Sequence, residues 1–365
     1  MWVADMDLPT PDFVMQALKQ RLHHPILGYA LTPDSLNQAV VTWQAHKQYA
    51  VQAEQIFWTH NVAHAFYLAV QAFSQPNDKI LSFSPVYPPF TQAPVQNQRP
   101  SITQSLELID GHYQINFERL EQCLKNEQPK VLLFCHPHNP SGRVWTRDEL
   151  TAVAELCLRY NVLVISDEIH ADLTFAPHQH TPMASLSTDI AQNTVTLSSP
   201  GKSFNLGGLQ IGYAIIANPE LQTAYAQRLE ANHIEGLNSL AMTACEAAYS
   251  EMGQFYLQVL SPFLQQNIQQ LHQTLAPYSA WIQPMTPQAG YLVWLDCSGL
   301  MQAMNWSDAQ LKNWWINQAG LGLSSGVSFG PEGSGFMRIN LAVSRETLTQ
   351  ATTQIVKALT EIQTQ

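Results

Sequence analysis

Apolar side chains along this chain follow two rhythms. In Asn61–Phe73, NVAHAFYLAVQAF, they recur at 62, 66, 69, 70 and 73, the spacing of one face of a helix. Thr146–Tyr160 opens with Thr-x-Asp-Glu, a capping signal, and repeats Leu150, Val153, Ala154 and Cys157 at helical spacing. Between such segments lie short unbroken apolar runs: Lys79–Phe83, Val131–Cys135, Val162–Ser166, Thr194–Leu197 and Gln210–Ala217. Short apolar strands alternating with helices predict an α/β fold, a mostly parallel central sheet covered by helices on both faces. From Glu251 the texture changes. A Gln-rich helix over about 253–275 leads through a Pro-broken turn to GYLVWLD, a helix near 307–319 and GFMRINLAV, which reads as a smaller α+β domain. The residues before a helix near 35–49 are expected to join that smaller unit or to cross between subunits. The division expected is an N-terminal segment 1–38, a large domain 39–272 and a small C-terminal domain 273–365.

Composition narrows the function. The chain has 365 residues, 45% of them hydrophobic, ample for a large core. Its net charge of −11 argues against nucleic acid and anionic membrane as bulk partners. No apolar run approaches the roughly 18 residues of a membrane span. Five cysteines, at 123, 135, 157, 245 and 297, are far apart and odd in number, which suits reduced thiols in a cytoplasm. The opening MWVADMDLPTPD lacks the basic and apolar regions of a signal peptide.

Parallel sheets gather ligands beyond the C-terminal ends of their strands. Asn139 follows VLLFC, Asp167 follows VLVIS and Lys202 follows VTLSS, so three polar residues can converge on one crevice. Lys202, in SSPGKSFNLGGLQIGY, is the only charged residue between Asp189 and Glu220. A buried lysine loses its charge readily, and the neutral amine condenses with aldehydes; a surface loop lysine is the alternative. Asp167 at the end of a buried strand calls for a cation, such as a protonated ring nitrogen, or else serves as a cap. Glu168 beside it reads as a capping partner. Asn139, in CHPHNPSGR, can donate and accept, or simply form a turn. Tyr87, held between prolines in SPVYPPF, can stack on an aromatic ligand or pack in the core. The N–H groups opening the stripe helix at Val62 and Ala63 suit a phosphate. Arg338, inside the apolar GFMRIN, suits a substrate carboxylate or a structural ion pair. The pairs His136/His138 and His178/His180 lack the spacing and Cys partners of a metal site, and no GxSxG or GxGxxG motif supports a hydrolase or dinucleotide reading.

Jointly these residues carry a resemblance. Asn139, Asp167, Lys202 and Arg338 stand in the order and approximate spacing of fold type I pyridoxal-phosphate enzymes. The stretches WVADMD, SPVYPPF, HPHNPSGRVWTRDEL, VISDEIHADL, GKSFNLGGLQ and FGPEGSGFMRIN resemble the MalY/PatB-type cystathionine β-lyases, or C–S lyases, of the class I/II aminotransferase superfamily. The resemblance implies pyridoxal 5'-phosphate, with Lys202 bound to its aldehyde and acting as general base, Asp167 on the pyridine nitrogen, Asn139 on the phenolic oxygen and Tyr87 stacked on the ring. It implies that Val62, Ala63 and Ser199 hold the phosphate. Tyr29 would reach it from the partner subunit of a homodimer with shared active sites. Arg338, with Asn139, would bind the α-carboxylate of an amino-acid substrate. The implied reaction is β-elimination from cystathionine or a related sulfur L-amino acid, giving pyruvate, ammonia and a thiol. Transamination is the alternative, and a weakly active regulatory protein a further one. Gln210 stands where many aminotransferases carry Arg, and Gly201 where a hydroxyl or other small residue is usual. Asn61 stands where the branch usually has Gly; Asn tolerates positive φ, so the turn can survive the change. The family also carries a segment ahead of WVADMD that clasps the partner.

Overall fold

The structure is a computed structural model that describes residues 1–234 and 236–364. Its large sheet has seven strands: β1 (Ile56–Thr59), β2 (Ile80–Ser84), β3 (Ser101–Ser105), β4 (Val131–Cys135), β5 (Leu163–Asp167), β6 (Thr194–Ser198) and β7 (Gly212–Ile216). Their spatial order is β1-β7-β6-β5-β4-β2-β3. Five of them, β3 to β6 across the sheet, run parallel. β2, β4, β6 and β7 are buried at every residue, which is why they read as unbroken apolar runs rather than alternating ones.

The sheet is mostly parallel, as expected, with β7 as its exception. β7 pairs antiparallel with both β6 and β1. The connection from Ser199 to Ile211 contains only the 3-10 turn Gly207–Leu209, without the crossover helix that a parallel return requires. The chain therefore comes straight back, and the Lys202 turn is the loop of that return.

The helix Val62–Phe73 buries Val62, Ala65, Phe66, Leu68, Ala69 and Val70, close to the predicted stripe. Arg147–Arg159 starts with a capping box: Thr146 accepts from the Glu149 N–H, and Glu149 accepts from the Thr146 N–H at 2.7 Å. The smaller sheet has β8 (Gln283–Pro284), β9 (Leu292–Asp296), β10 (Ser324–Ser325) and β11 (Phe336–Asn340), in the order β8-β9-β11-β10, all antiparallel. The helices Glu251–Leu275 and Arg345–Gln363 cover it over a core that includes Leu264, Leu271, Ile339 and Ile355. The small unit docks on the large one through Trp294, whose Nε1 donates to Tyr113 Oη at 3.2 Å, and through Glu332, which accepts from Ser84 and Ser105 at the ends of β2 and β3. No helix among the described residues is long and apolar enough to cross a membrane.

Candidate active site

β4 and β5 pair in register, with Cys135 opposite Asp167. After Cys135 the chain makes a tight turn in which the Gly142 N–H donates to the His138 carbonyl at 2.7 Å. Gly142 has φ +69°, and a Cβ there would lie 2.5 Å from Pro287 Cβ, so only glycine fits. The turn brings Asn139 back over the strand end, where its N–H donates to Cys135 Sγ and its carbonyl accepts from the Tyr87 N–H at 3.1 Å. Asn139, Tyr87, Asp167 and Lys202 line one cavity of about 580 Å³. Val62, Ala63, Ser199 and Arg338 line the same cavity.

Asp167 is buried, and one carboxylate oxygen accepts from the Ile169 N–H at 3.1 Å. Burial pushes its carboxyl up to about 7, against that hydrogen bond; the Glu168 charge adds to the rise and Lys202 opposes it. Glu168 is not a helix cap. It turns away from the cavity and accepts from Ser166 Oγ, the Met183 N–H and His180 Nε2, the last at 2.8 Å.

Lys202 faces the cavity rather than bulk solvent. Burial, and then Arg338, hold its ammonium below the usual lysine range, against the opposing charges of Asp5 and Asp167. It forms no ion pair among the described residues; its Nζ donates to the Ala4 carbonyl. His170, three residues after Asp167, also lines the cavity. Burial, Lys202 and Arg338 bring its imidazole down to about 3, so it is neutral.

Arg338 lies on β11 and is 6% exposed, with no carboxylate partner among the described residues. Nη1 donates to Asn139 Oδ1 at 2.9 Å, and Nη2 to the Trp2 carbonyl at 3.0 Å and to Ser324 Oγ. The Phe329 ring centre is 4.9 Å from its Cζ, and its Nε is buried without an acceptor. Burial lowers its pKa to about 10, which leaves it charged. A guanidinium can only donate, so Asn139 turns its oxygen to Arg338 and keeps the Nδ2 donor for a ligand.

The segment WVADMD passes across this site. The carbonyls of Met1, Val3 and Asp5 accept from the main-chain or side-chain amide of Asn340. The alternate carbonyls, of Trp2 and Ala4, accept from Arg338 and Lys202. Sequence reasoning quoted this stretch without assigning it a role; a run of backbone acceptors leaves no residue-type signal.

At the helix N-terminus, Asn61 does not use the positive φ that an Asn tolerates. Its φ is −167°, extended rather than left-handed, because it is the N-cap: Oδ1 accepts from the His64 N–H at 2.8 Å. Its Nδ2 donates to Gln210 Oε1 at 2.6 Å, clasping the helix to the loop before β7. The left-handed residue is Gln210 itself, at φ 58°. Capping of His64 leaves the cavity-lining Val62 and Ala63 N–H groups for an anion. Ser199 lines the cavity, but its hydroxyl proton goes to the Ile211 carbonyl at 2.6 Å, and its oxygen accepts from the Gly201 N–H. Those two bonds make Ser199 shape the turn that carries Lys202. Tyr29 lies outside the cavity, fully exposed between the helices Asp12–Leu22 and Asp34–Ala45.

The donor set thus suits a flat ligand with an anionic group, a protonated ring nitrogen and a carbonyl carbon, beside a second site for a carboxylate. The model of the family described as aminotransferase class I and II matches residues 3–355. Cystathionine beta-lyase PatB of Bacillus subtilis is 39% identical over 360 residues, covering 98% of this chain and 92% of that protein. Protein MalY of Escherichia coli is 31% identical, covering 98% of this chain and 90% of its own. The crystal structure of cystalysin from Treponema denticola, which contains a pyridoxal 5'-phosphate cofactor, superposes with a TM-score of 0.93 at 31% identity, over 99% of this chain and 91% of that one.

Proposed function

The chain belongs to the class I and II aminotransferase family, and from that premise we propose that it is a pyridoxal-phosphate-dependent carbon–sulfur β-lyase acting on cystathionine or related sulfur L-amino acids. The observation that carries the reading is the convergence of Lys202, Asp167, Asn139 and Arg338 on one cavity, with Lys202 and Arg338 in no ion pair among the described residues. The residues fit the cofactor: an anion acceptor at the Val62 and Ala63 N–H groups, a buried carboxyl at Asp167, a reserved Asn139 Nδ2 and an amine of lowered pKa.

When bound, pyridoxal phosphate supplies an aldehyde for amines and a ring that withdraws electrons from the substrate Cα. Val62 and Ala63 hold its phosphate through N–H groups and the helix dipole. Asp167 would keep the ring nitrogen protonated, and Tyr87 would supply an aromatic surface for the ring. Arg338 binds the substrate carboxylate, exchanging the Trp2 carbonyl for a charged acceptor. Lys202, whose lowered pKa favours the neutral amine, would take the substrate α-proton at Nζ. The C–S bond breaks, the thiolate leaves, and released 2-aminoacrylate hydrolyses to pyruvate and ammonia.

The division into 1–38, 39–272 and 273–365 is part of this reading, supported by the separate sheets at 56–216 and 283–340. A homodimer is supported by Leu22, Ile26, Leu27, Tyr29 and Leu31, large apolar side chains exposed together in one short stretch of the chain. A cytoplasmic location is supported by five cysteines that form no disulfide.

The test is incubation of the loaded protein with L-cystathionine and no keto acid. Pyruvate and free thiol over many turnovers are expected; one conversion per cofactor molecule would make it a transaminase, which uses the same Lys202, Asp167 and Arg338. Borohydride reduction is expected to fix the cofactor mass on the peptide containing Lys202, and Lys202→Ala to abolish it.

A further inference from the structure

Lys202 has to bring its nitrogen both to a cofactor carbon and to the substrate Cα, from the end of a flexible four-carbon stem. Its reach is therefore set by the backbone of the turn that carries it. On one side that turn is shaped by Ser199 and Gly201. Its other side is held from outside the cavity. Ser203 is fully buried, and its Oγ donates to Asp172 Oδ2 at 3.0 Å. Phe204, also fully buried, meets Trp43 edge-on, with ring centres 5.8 Å apart.

Asp172 joins these contacts. Its side chain is 2% exposed, and Oδ1 accepts from Trp43 Nε1 at 3.0 Å and pairs with Lys47 Nζ at 2.5 Å. The Lys47 ammonium answers the buried carboxylate charge, so the Ser203 hydroxyl is not needed for neutrality. A hydroxyl given to a carboxylate is a strong, directional tie, and here it falls on the residue next to Lys202. Asp172 is in turn placed by the acid of the site. β5 ends at Asp167, the Ala171 N–H donates to the Glu168 carbonyl at 3.0 Å, and the 3-10 turn Ala171–Leu173 follows. One short segment thus sets the Asp167 carboxyl inside the cavity and grips the Lys202 turn from behind. Trp43 and Lys47, at the C-terminal end of the helix Asp34–Ala45, anchor that grip, and every one of these contacts is made within one chain.

Resting on the reading of Lys202 as the amine that takes the cofactor, we propose that Asp172 is a positioning residue: through Ser203 it fixes the Lys202 turn relative to Asp167, and with it the rate at which Lys202 Nζ reaches its targets.

Ser203→Ala removes the tie and leaves the Lys47–Asp172 pair in place. It is expected to lower kcat for L-cystathionine about tenfold with KM changed less than about twofold, because Arg338 still binds the carboxylate. Cofactor-free protein mixed with pyridoxal phosphate reads the tie without turnover: the absorbance change of cofactor capture should slow about tenfold in Ser203→Ala. Ser203→Thr, which keeps the hydroxyl, should restore both rates. Asp172→Ala is made in a Lys47→Met background, where no buried ammonium is left unpaired. There kcat should fall about tenfold, and adding Ser203→Ala should lower it less than about twofold further, since the tie is already gone. Native kcat and native capture rate in Ser203→Ala would overturn the tie, as would a further full tenfold loss, about as large as in the native chain, on adding Ser203→Ala to the Lys47→Met, Asp172→Ala background. Failure of the native chain to eliminate from any thioether would defeat the lyase reading instead, while the capture rate would still decide the tie.

Discussion

Asp167 ties the pH behaviour of the cofactor-free chain to its active site. The folded chain holds this proton up to about pH 7, whereas an unfolded chain gives it up near 4. The folded state therefore binds more protons between those values, and stability must fall as pH rises through that window. The difference is on the order of 4 kcal/mol. Urea unfolding of the cofactor-free protein is expected to need less denaturant at pH 8 than at pH 5, and Asp167→Asn should remove most of the difference. Cofactor loading should do the same, since a protonated ring nitrogen answers the buried charge. Arg338 gives a second residue-scale prediction. Arg338→Ala should raise KM on the order of a hundredfold while the cofactor stays bound. Equilibrium dialysis of the cofactor checks the second half, because loss of Arg338 also frees Asn139 Oδ1 from its donor.

At the scale of elements, the helix Val62–Phe73 depends on one cap. Asn61→Ala removes the acceptor for the His64 N–H and the clasp to Gln210. A loss of about 1 kcal/mol in unfolding free energy is expected, with cofactor affinity falling severalfold in a titration of the apoprotein. These elements also show what the residues alone disclose. VLLFC, VLVIS and the 62–73 stripe announce themselves, because full burial and a 3.6-residue period leave composition no alternative. The strand ends put Asn139, Asp167 and Lys202 together for the same reason. The direction of β7 is not written in QIGYAIIA: an apolar strand looks the same both ways, and the missing crossover helix decides. At Asn61 the residue type says only that positive φ is tolerated; that its side chain serves as the cap shows only in the structure. For Ser199 the residue type does not disclose the bond its hydroxyl makes to the Ile211 carbonyl.

For the whole molecule, the central question is where Tyr29 goes. It is fully exposed, with Leu31 similarly bare beside it, and a shared site would place the partner's Tyr29 near Val62 and Ala63. Tyr29→Ala and Lys202→Ala chains should each be nearly inactive alone. Unfolded together and refolded as a mixture, they should recover about a quarter of the native activity, because random pairing makes half the dimers mixed and each mixed dimer rebuilds one site. Recovery near zero would mean that each chain completes its own site. Sedimentation of the mixture checks that dimers form at all.

The alternation of carbonyls from Met1 to Asp5 has a consequence of parity. Odd positions are spent on Asn340 and even ones on Arg338 and Lys202. Deleting or inserting a single residue between Trp2 and Ala4 would exchange the two sets, so that the guanidinium and the amine meet the wrong edge of the backbone. A two-residue change would preserve the phase, and tolerance along this stretch should follow whether the change in length is even or odd.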